Sequence, residues 1–295
     1  MIDFPKIAQL RTVEEFRGHL REQQIDLPVD DAVLSGSQGS PLAQPLSLGT
    51  LRCGNRWCIH PMEGWDAEPD GSPSALTIRR WRNFGISGAK LIWGGEAAAV
   101  DPAGRANPRQ TLATESNTAG LRRLLQTLQD AHREQFATTE DLVVGLQLTH
   151  SGRFCKPLPD GKFRPRIAYH HPLLDRKFGV DPEDASVVWT DRELEQLIGQ
   201  FVDAARRARD IGFQFVDVKA CHGYLLHEFL SARTRPGRFG GDLEGRSRLL
   251  TTIVQRIRES VAGLEVVVRL SAFDTIPYER GDGAGIPMAH EQLIP

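Results

Sequence analysis

Four side chains that can transfer a proton or form a covalent bond are crowded into the six residues from Lys219 to Tyr224. They are an amine, a thiol (Cys221), an imidazole (His222) and a phenol, and they follow an apolar run at 213–218. Titratable groups gather at a strand end where proton transfer or anion binding is needed. This stretch is therefore the first candidate for a catalytic site.

The composition restricts the kind of protein that carries this stretch. The 295 residues are 40% hydrophobic and 25% charged, which is enough to bury a large core. A formal net charge of −2 gives no electrostatic footprint for nucleic acid or anionic lipid, so the expected partner is a small molecule. No apolar run approaches the roughly 20 residues of a membrane helix. The spacing of the cysteines fits neither CxxC pairs nor a disulfide scaffold, which predicts reduced thiols in a cytoplasmic protein.

Strand-like and helix-like segments alternate from residue 56 onwards. Helices are predicted at 77–84, at 121–128, from the Thr190 and Glu193 capping box to Gly212, and at 249–257. Strands are predicted at 56–61, 89–93, 142–148, 213–218 and 265–270. Such alternation predicts an α/β fold with a parallel sheet, either a (β/α)8 barrel or a doubly wound sheet.

Polar groups after every predicted strand favour the barrel. Barrel enzymes take functional residues from the carboxyl ends of several strands, whereas dinucleotide-binding sheets concentrate a glycine signature in their first turn. Here no G-x-G-x-x-G follows the first strand. The polar segments that follow the strands are 61–63, 94–96, 147–150, 219–224 and Arg269.

Three motifs in this order resemble the Old Yellow Enzyme family of FMN-dependent NAD(P)H oxidoreductases. They are Gln147-Leu-Thr-His-Ser-Gly-Arg153, His222-Gly-Tyr-Leu-Leu-His-Glu-Phe-Leu-Ser231 and Phe239-Gly-Gly-Asp-Leu-Glu-Gly-Arg246. The resemblance runs from about Pro45 to Ser271. It implies FMN as cofactor, NADH or NADPH as reductant, and a small activated alkene such as an enone or enoate as substrate.

The resemblance also implies a role for individual residues around the flavin. Gln147 matches the amide that hydrogen-bonds the flavin pyrimidine, and Arg269 the cation near N1 and O2. The ring edge near N5 is flanked by the remaining cofactor-binding candidates, which are Pro61, Met62, Glu63, Gly95 and Ala97.

Three catalytic candidates complete the implied site. His222 matches a residue that holds the substrate carbonyl oxygen, and Tyr224 the donor that protonates the α-carbon after hydride transfer. Lys219 stands where the family usually has His or Asn. Its charge would favour a carboxylate or a developing enolate and should depress protonation of His222.

Glu63 is a second departure from the family, which usually has Thr or Cys at this position beside flavin O4. An ionised carboxylate facing a carbonyl oxygen is unfavourable. Glu63 is therefore expected to be protonated, turned away, or a sign of altered flavin tuning.

Simpler interpretations compete with several of these assignments. Tyr224 and His222 could hydrogen-bond the barrel rim, Lys219 could form an imine in a lyase, and the chain could be a non-catalytic remnant. A loop and helix entry with Asp242 as N-cap is preferred to a phosphate cradle at 237–245. A solvated loop is preferred to a zinc site at His170 and His171. Packing is expected for the tryptophans Trp57, Trp81 and Trp93.

Two segments lie outside the alternating pattern. Residues 1–45 predict a helical extension with a Thr12 and Glu15 capping box, followed by a Ser/Gly/Pro-rich linker from residue 35. Residues 151–190 lack periodicity and are predicted to form a long loop over the site that selects the substrate.

Residues 46–295 are expected to form an FMN-binding barrel that is truncated at its C-terminal end. Five of the eight βα units of a barrel are recognisable. In the family, the loops after strands seven and eight bind the FMN phosphate. The sequence therefore predicts the N-terminal portion of a larger enzyme that binds flavin poorly by itself.

Overall fold

The computed structural model describes residues 5–271. Its strands are β1 (Leu46–Leu48), β2 (Leu51–Cys53), β3 (Cys58–Ile59), β4 (Leu91–Ile92), β5 (Ala97–Ala99), β6 (Val143–Thr149), β7 (Phe215–Ala220) and β8 (Glu265–Leu270). Its α-helices are α1 (Val13–Glu22), α2 (Ala75–Ile86), α3 (Thr118–Phe136), α4 (Pro172–Phe178), α5 (Asp191–Ile211), α6 (Leu225–Leu230) and α7 (Leu243–Ser260). Short 3-10 helices lie at Ile7–Gln9, Gly36–Gln38, Pro41–Ala43, Pro102–Gly104, Glu115–Asn117, Gly152–Phe154 and Ala185–Val187.

Six parallel strands form the main sheet in five adjacent positions. The order is β3, β4, β6, β7 and β8, and β5 extends the second position by pairing with β6 beyond β4. Helices α2, α3, α5 and α7 connect successive positions. The predicted succession of five βα-type strands is confirmed, and β8 is the last strand in the part of the chain that is described. The predicted barrel residues 272–295 lie outside it.

Local sequence signals define the ends of the longest helices. The Thr190 hydroxyl accepts from the Glu193 amide and the Glu193 carboxylate accepts from Thr190, which confirms the predicted capping box of α5. Gly212 ends α5 with a φ of 114°, a conformation that a side chain disfavours. Asp242 caps α7 by accepting from the Gly245 amide at 2.8 Å, as predicted.

The core lies between the sheet and the apolar faces of these helices. Trp81, Leu146 and Phe201 are fully buried there, and each such side chain contributes roughly 1.5–3 kcal/mol. Trp81 therefore packs as expected. The same expectation is wrong for Trp57, whose surface is 55% exposed.

A hairpin formed by β1 and β2 covers the amino-terminal ends of the barrel strands. Its apolar residues pack with the first residues of β4, β6 and β7, which are Leu91, Val143 and Phe215. The hydroxyl of Thr50 in its turn donates to Glu265 at the start of β8. The hairpin was not predicted, whereas the capping box of α1 at Thr12 is confirmed.

The segment 151–190 is more ordered than its lack of periodicity suggested. It contains α4 and a bridge between Ile167 and Val188. The buried His171 ring caps α4 by accepting from the Leu173 and Leu174 amides, so a solvated loop at this position is wrong. Among residues 5–271, no helix has the length and apolar character needed to cross a membrane.

Candidate functional site

The sheet register groups the predicted site residues at the carboxyl ends of the strands, in two successive rows. Ala97 lies beside Gln147 on the neighbouring strand, Gln147 lies beside Asp217, and Lys219 lies beside Arg269. Because parallel strands present their carboxyl ends on the same side, residues from four strands meet at this edge.

Hydrogen bonds attach the loop after β3 to these strand ends. The Ala97 amide donates to the Met62 carbonyl at 3.2 Å, and the Gly64 amide donates to Glu96. Arg80 ties the loop to the second strand position through ion pairs with Asp66 at 2.9 Å and Glu96 at 2.7 Å. Pro61 and Gly95 are buried within this junction, whereas Met62 is 64% exposed. The loop that carries Glu63 is therefore held firmly against the site.

Gln147 is oriented by a buried acid that sequence reasoning missed. Its Nε2 donates to Asp217 at 2.6 Å, and the Trp93 indole donates to the same oxygen at 2.9 Å. Burial raises the pKa of the Asp217 carboxyl, opposed by these two hydrogen bonds. An acidic residue inside the apolar β7 was the available sequence signal.

Glu63 collects three hydrogen-bond donors from two sides of the site. Its carboxylate accepts from Lys219 Nζ at 2.7 Å, from the Tyr224 hydroxyl at 2.9 Å and from the Trp65 indole at 3.1 Å. The Lys219 ammonium also lies 3.8 Å from the centre of the Tyr224 ring. These four residues are termed the Glu63 cluster. The structure brings two catalytic candidates together through a residue that was expected to contact the cofactor.

Trp65 forms the outer rim of the Glu63 cluster. It is 48% exposed and has a φ of 52°, in the left-handed region. That conformation costs a bulky residue about 1–3 kcal/mol and persists only where neighbouring contacts hold it. Phe154 from segment 151–190 packs on Tyr224 with ring centroids 5.5 Å apart. The predicted loop therefore reaches the site through this ring.

The protonation of Tyr224 and His222 is set by their surroundings. Burial, followed by the charge of Glu63, raises the pKa of the Tyr224 phenol well above its usual value. Partial burial lowers the pKa of His222, and the charges of Lys219 and Arg269 lower it further. The predicted effect of Lys219 on His222 is confirmed in direction, although burial is the larger cause.

Cys221 does not share in this chemistry at neutral pH. Its side chain is buried, and burial raises the pKa of the thiol. A protonated thiol is a poor nucleophile. All four cysteines are unpaired, as predicted.

Segment 151–190 is anchored by a second buried group of charges beside the site. Arg153 pairs with Glu228 at 2.6 Å and with Asp175, and it donates to the Tyr169 carbonyl at 2.7 Å. His170 also contacts Asp175, at 2.8 Å. We term Arg153, Glu228, Asp175 and the Tyr169 carbonyl the Arg153 network. Within residues 5–271, no group of three His, Cys, Asp or Glu residues is arranged to hold a metal ion.

The residues at the strand ends offer the polar groups that a flavin ring requires. The Nε2 of Gln147 is engaged by Asp217, so its carbonyl oxygen remains as an acceptor for a ligand N–H. Arg269 supplies a cation at the neighbouring strand end. These two residues fit the polar edge of an isoalloxazine ring.

The comparisons with known proteins agree with this arrangement. The model of the NADH:flavin oxidoreductase / NADH oxidase family matches residues 41–284. A metal reductase from Desulforamulus reducens is 31% identical over 242 residues, covering 81% of this chain and 33% of that protein. An NADPH dehydrogenase from Bacillus subtilis is 30% identical over 243 residues, covering 79% of this chain and 64% of that protein. The chain thus spans between a third and just under two thirds of these curated relatives.

The solved structures show the same fold. The Old Yellow Enzyme from Pichia sp. AKU4542 has a TM-score of 0.68 at 23% identity, covering 86% of this chain and 65% of its own. Morphinone reductase in complex with tetrahydroNAD has a TM-score of 0.63 at 24% identity, covering 80% of this chain and 65% of its own. The predicted barrel class is confirmed, and the family description agrees with the predicted flavin and nicotinamide cofactors. The chain belongs to the NADH:flavin oxidoreductase / NADH oxidase family.

Proposed function

We propose that this chain carries the catalytic strand ends of an FMN-dependent reductase that uses NADH or NADPH to reduce activated C=C bonds. The observation that carries the proposal is the Tyr224 phenol, which donates to Glu63 at 2.9 Å at the same sheet edge as Gln147 and Arg269. In this proposal residues 46–295 belong to the barrel and residues 1–45 form an extension.

Four of the strand-end positions have definite tasks in the proposed reaction. FMN, when bound, would supply a hydride to the substrate alkene. Gln147 would bind the pyrimidine edge, Arg269 would stabilise negative charge at N1 and O2, and the segments around Met62 and Ala97 would border the ring.

Tyr224 and His222 act on the substrate. His222, which lies on the exposed side of the site, donates to the carbonyl oxygen as negative charge develops there. Tyr224 donates its proton to the α-carbon. The hydroxyl donates to Glu63 at 2.9 Å and must turn from that carboxylate to reach the substrate.

Separate measurement of the two half-reactions tests this assignment. Tyr224→Phe should leave flavin reduction by NADH or NADPH within twofold of wild type, because that step needs no phenolic proton. Alkene reduction should slow by about 10²–10⁴-fold, the usual contribution of general acid catalysis. Stopped-flow absorbance of the flavin measures both rates, with Tyr169→Phe as a matched control. Equal losses in both half-reactions would remove Tyr224 from the proton-donor role.

A lyase mechanism through Lys219 has less support. Imine formation needs an amine nitrogen that can reach a carbonyl carbon, whereas Lys219 Nζ is held by the Glu63 carboxylate at 2.7 Å and lies 3.8 Å from the centre of the Tyr224 ring. Borohydride trapping with a carbonyl compound would detect an imine if one formed.

A further inference from the structure

We propose that Glu63 is an internal ligand in the substrate-anion position, so that the site selects substrates that are uncharged near the reacting bond. The inference rests on the proposed function for the identity of the site. It assigns Glu63 a role in specificity that is additional to any contact with the flavin.

Lys219 and Tyr224, two of the donors at the substrate position, are already occupied by Glu63. Lys219, Tyr224 and Trp65 all donate to the same carboxylate, at 2.7, 2.9 and 3.1 Å. Lys219 and Tyr224 are the residues that the sequence motif assigns to the substrate. Glu63 thus makes the contacts that a bound carboxylate or enolate would make.

Displacement of Glu63 by a substrate anion would be electrostatically unfavourable. The side chains of Lys219 and Glu63 are only 6% and 8% exposed, so water screens their attraction weakly. A substrate carboxylate that displaced Glu63 would leave a buried carboxylate without its counter-ion, which is unfavourable. A neutral carbonyl group avoids this cost, because it can accept from His222 while the ion pair remains intact.

Aromatic rings form the rim of the site. Trp65 is the half-exposed member of the Glu63 cluster, and Phe154 from segment 151–190 packs on Tyr224. Aromatic rings favour planar, apolar ligands. Conjugated ketones, esters and amides therefore match the site better than free acids.

Binding of a matched anion and neutral probe tests the inference. Benzoate and benzamide have the same shape and differ in charge. In the flavin-loaded protein, Glu63→Gln should tighten benzoate binding at least tenfold, because Lys219 becomes available to the anion. Benzamide affinity should stay within twofold. Perturbation of the flavin spectrum and isothermal titration calorimetry measure both affinities, with Glu68→Gln as an exposed control on the same loop.

A double variant shows whether the gain depends on Lys219. Lys219→Met added to Glu63→Gln should abolish the tighter benzoate binding, because the ammonium group that would bind the anion is gone. Either of two results would overturn the inference: no tighter benzoate binding by Glu63→Gln, or a gain that survives the loss of Lys219.

These measurements separate the inference from the proposed function. Ligand binding needs no turnover, so the benzoate pattern is informative even if the two half-reactions of Tyr224→Phe contradict the proton-donor role. Circular dichroism confirms that each variant is folded before affinities are compared.

Discussion

The Arg153 network and the Glu63 cluster are two buried groups of charges at the same end of the barrel, but they are built differently. Arg153 is 1% exposed, and its planar guanidinium spreads its donors over Glu228, Asp175 and a backbone carbonyl. In the Glu63 cluster one carboxylate accepts from three donors of different chemistry, a lysine, a tyrosine and a half-exposed tryptophan.

The difference separates a structural ion network from a candidate site. Arginine stays charged at any physiological pH and fixes geometry through several directed bonds. Lysine and tyrosine can exchange protons and can be released by rotation of one side chain. Both groups are buried and charge-paired, so burial and charge pairing do not identify a functional site. Access from solvent and hydrogen-bond partners that can be exchanged do identify one.

Removal of the arginine is the largest expected effect. Arg153→Met should lower the free energy of unfolding by about 3–5 kcal/mol, because it leaves Glu228 and Asp175 buried without their counter-ion. Urea denaturation of the purified protein measures the loss.

Arg164 provides the matched control for this change. It forms an exposed i,i+4 pair with Asp160 in the same segment, and Arg164→Met should change the free energy of unfolding by less than about 1 kcal/mol. A similar loss in both variants would contradict the special role of the Arg153 network.

Acid should weaken the anchored side of the site through His150. This ring is buried against Trp189, and its Nδ1 accepts from the Gly152 amide. Burial, assisted by the charge of Arg166, lowers the pKa of His150 from 6.5 to about 4. The unfolded chain therefore binds the proton more readily, and stability that is complete above pH 6.5 is lost as the pH falls towards 4.

At pH 5 the expected loss from this residue is about 2 kcal/mol. His150→Gln keeps an acceptor for the Gly152 amide but cannot titrate. Its free energy of unfolding should fall less than that of wild type between pH 7.5 and pH 5, by about that amount. Urea denaturation at both pH values gives the comparison, and parallel losses would exclude His150 as the cause.

The smallest expected effect concerns the rim of the Glu63 cluster. Trp65→Gly loses a hydrogen bond to Glu63 but relieves the left-handed backbone, so the free energy of unfolding should change by less than about 1 kcal/mol. Trp57→Gly is the control, since Trp57 is similarly exposed without a positive φ. Its loss should be larger by about 1 kcal/mol. Thermal or urea denaturation measures both losses, and a larger loss in Trp65→Gly than in Trp57→Gly would contradict this expectation.

Elements with strong local signals were predictable from the sequence. The helix opened by Thr190 and closed by Gly212, and the strand at 265–270, were predicted close to their observed bounds. Shorter elements were not. Three consecutive alanines form β5, although alanine is depleted in strands, and the two turns of α4 are too brief to show a period.

The contacts within the candidate site were harder to predict than its members. The motif around Tyr224 identified Lys219 and His222, because these residues are close in sequence. The partner of Lys219 is Glu63, which lies 156 residues away, and no local pattern connects them. The sequence signalled only that Glu63 was unusual beside a flavin carbonyl.

The hairpin beneath the barrel has a consequence for synthesis of the protein. Thr50 in its turn bonds to Glu265, which is 215 residues later in the chain. At the usual translation rate of about 5–20 residues per second, β8 is synthesised roughly 10–40 s after the hairpin. During that interval the leucines of the hairpin lack their final partners. The hairpin is therefore a region where a nascent chain would need protection. The contact between Thr50 and Glu265 should be among the slowest to form, because its partners are far apart in sequence.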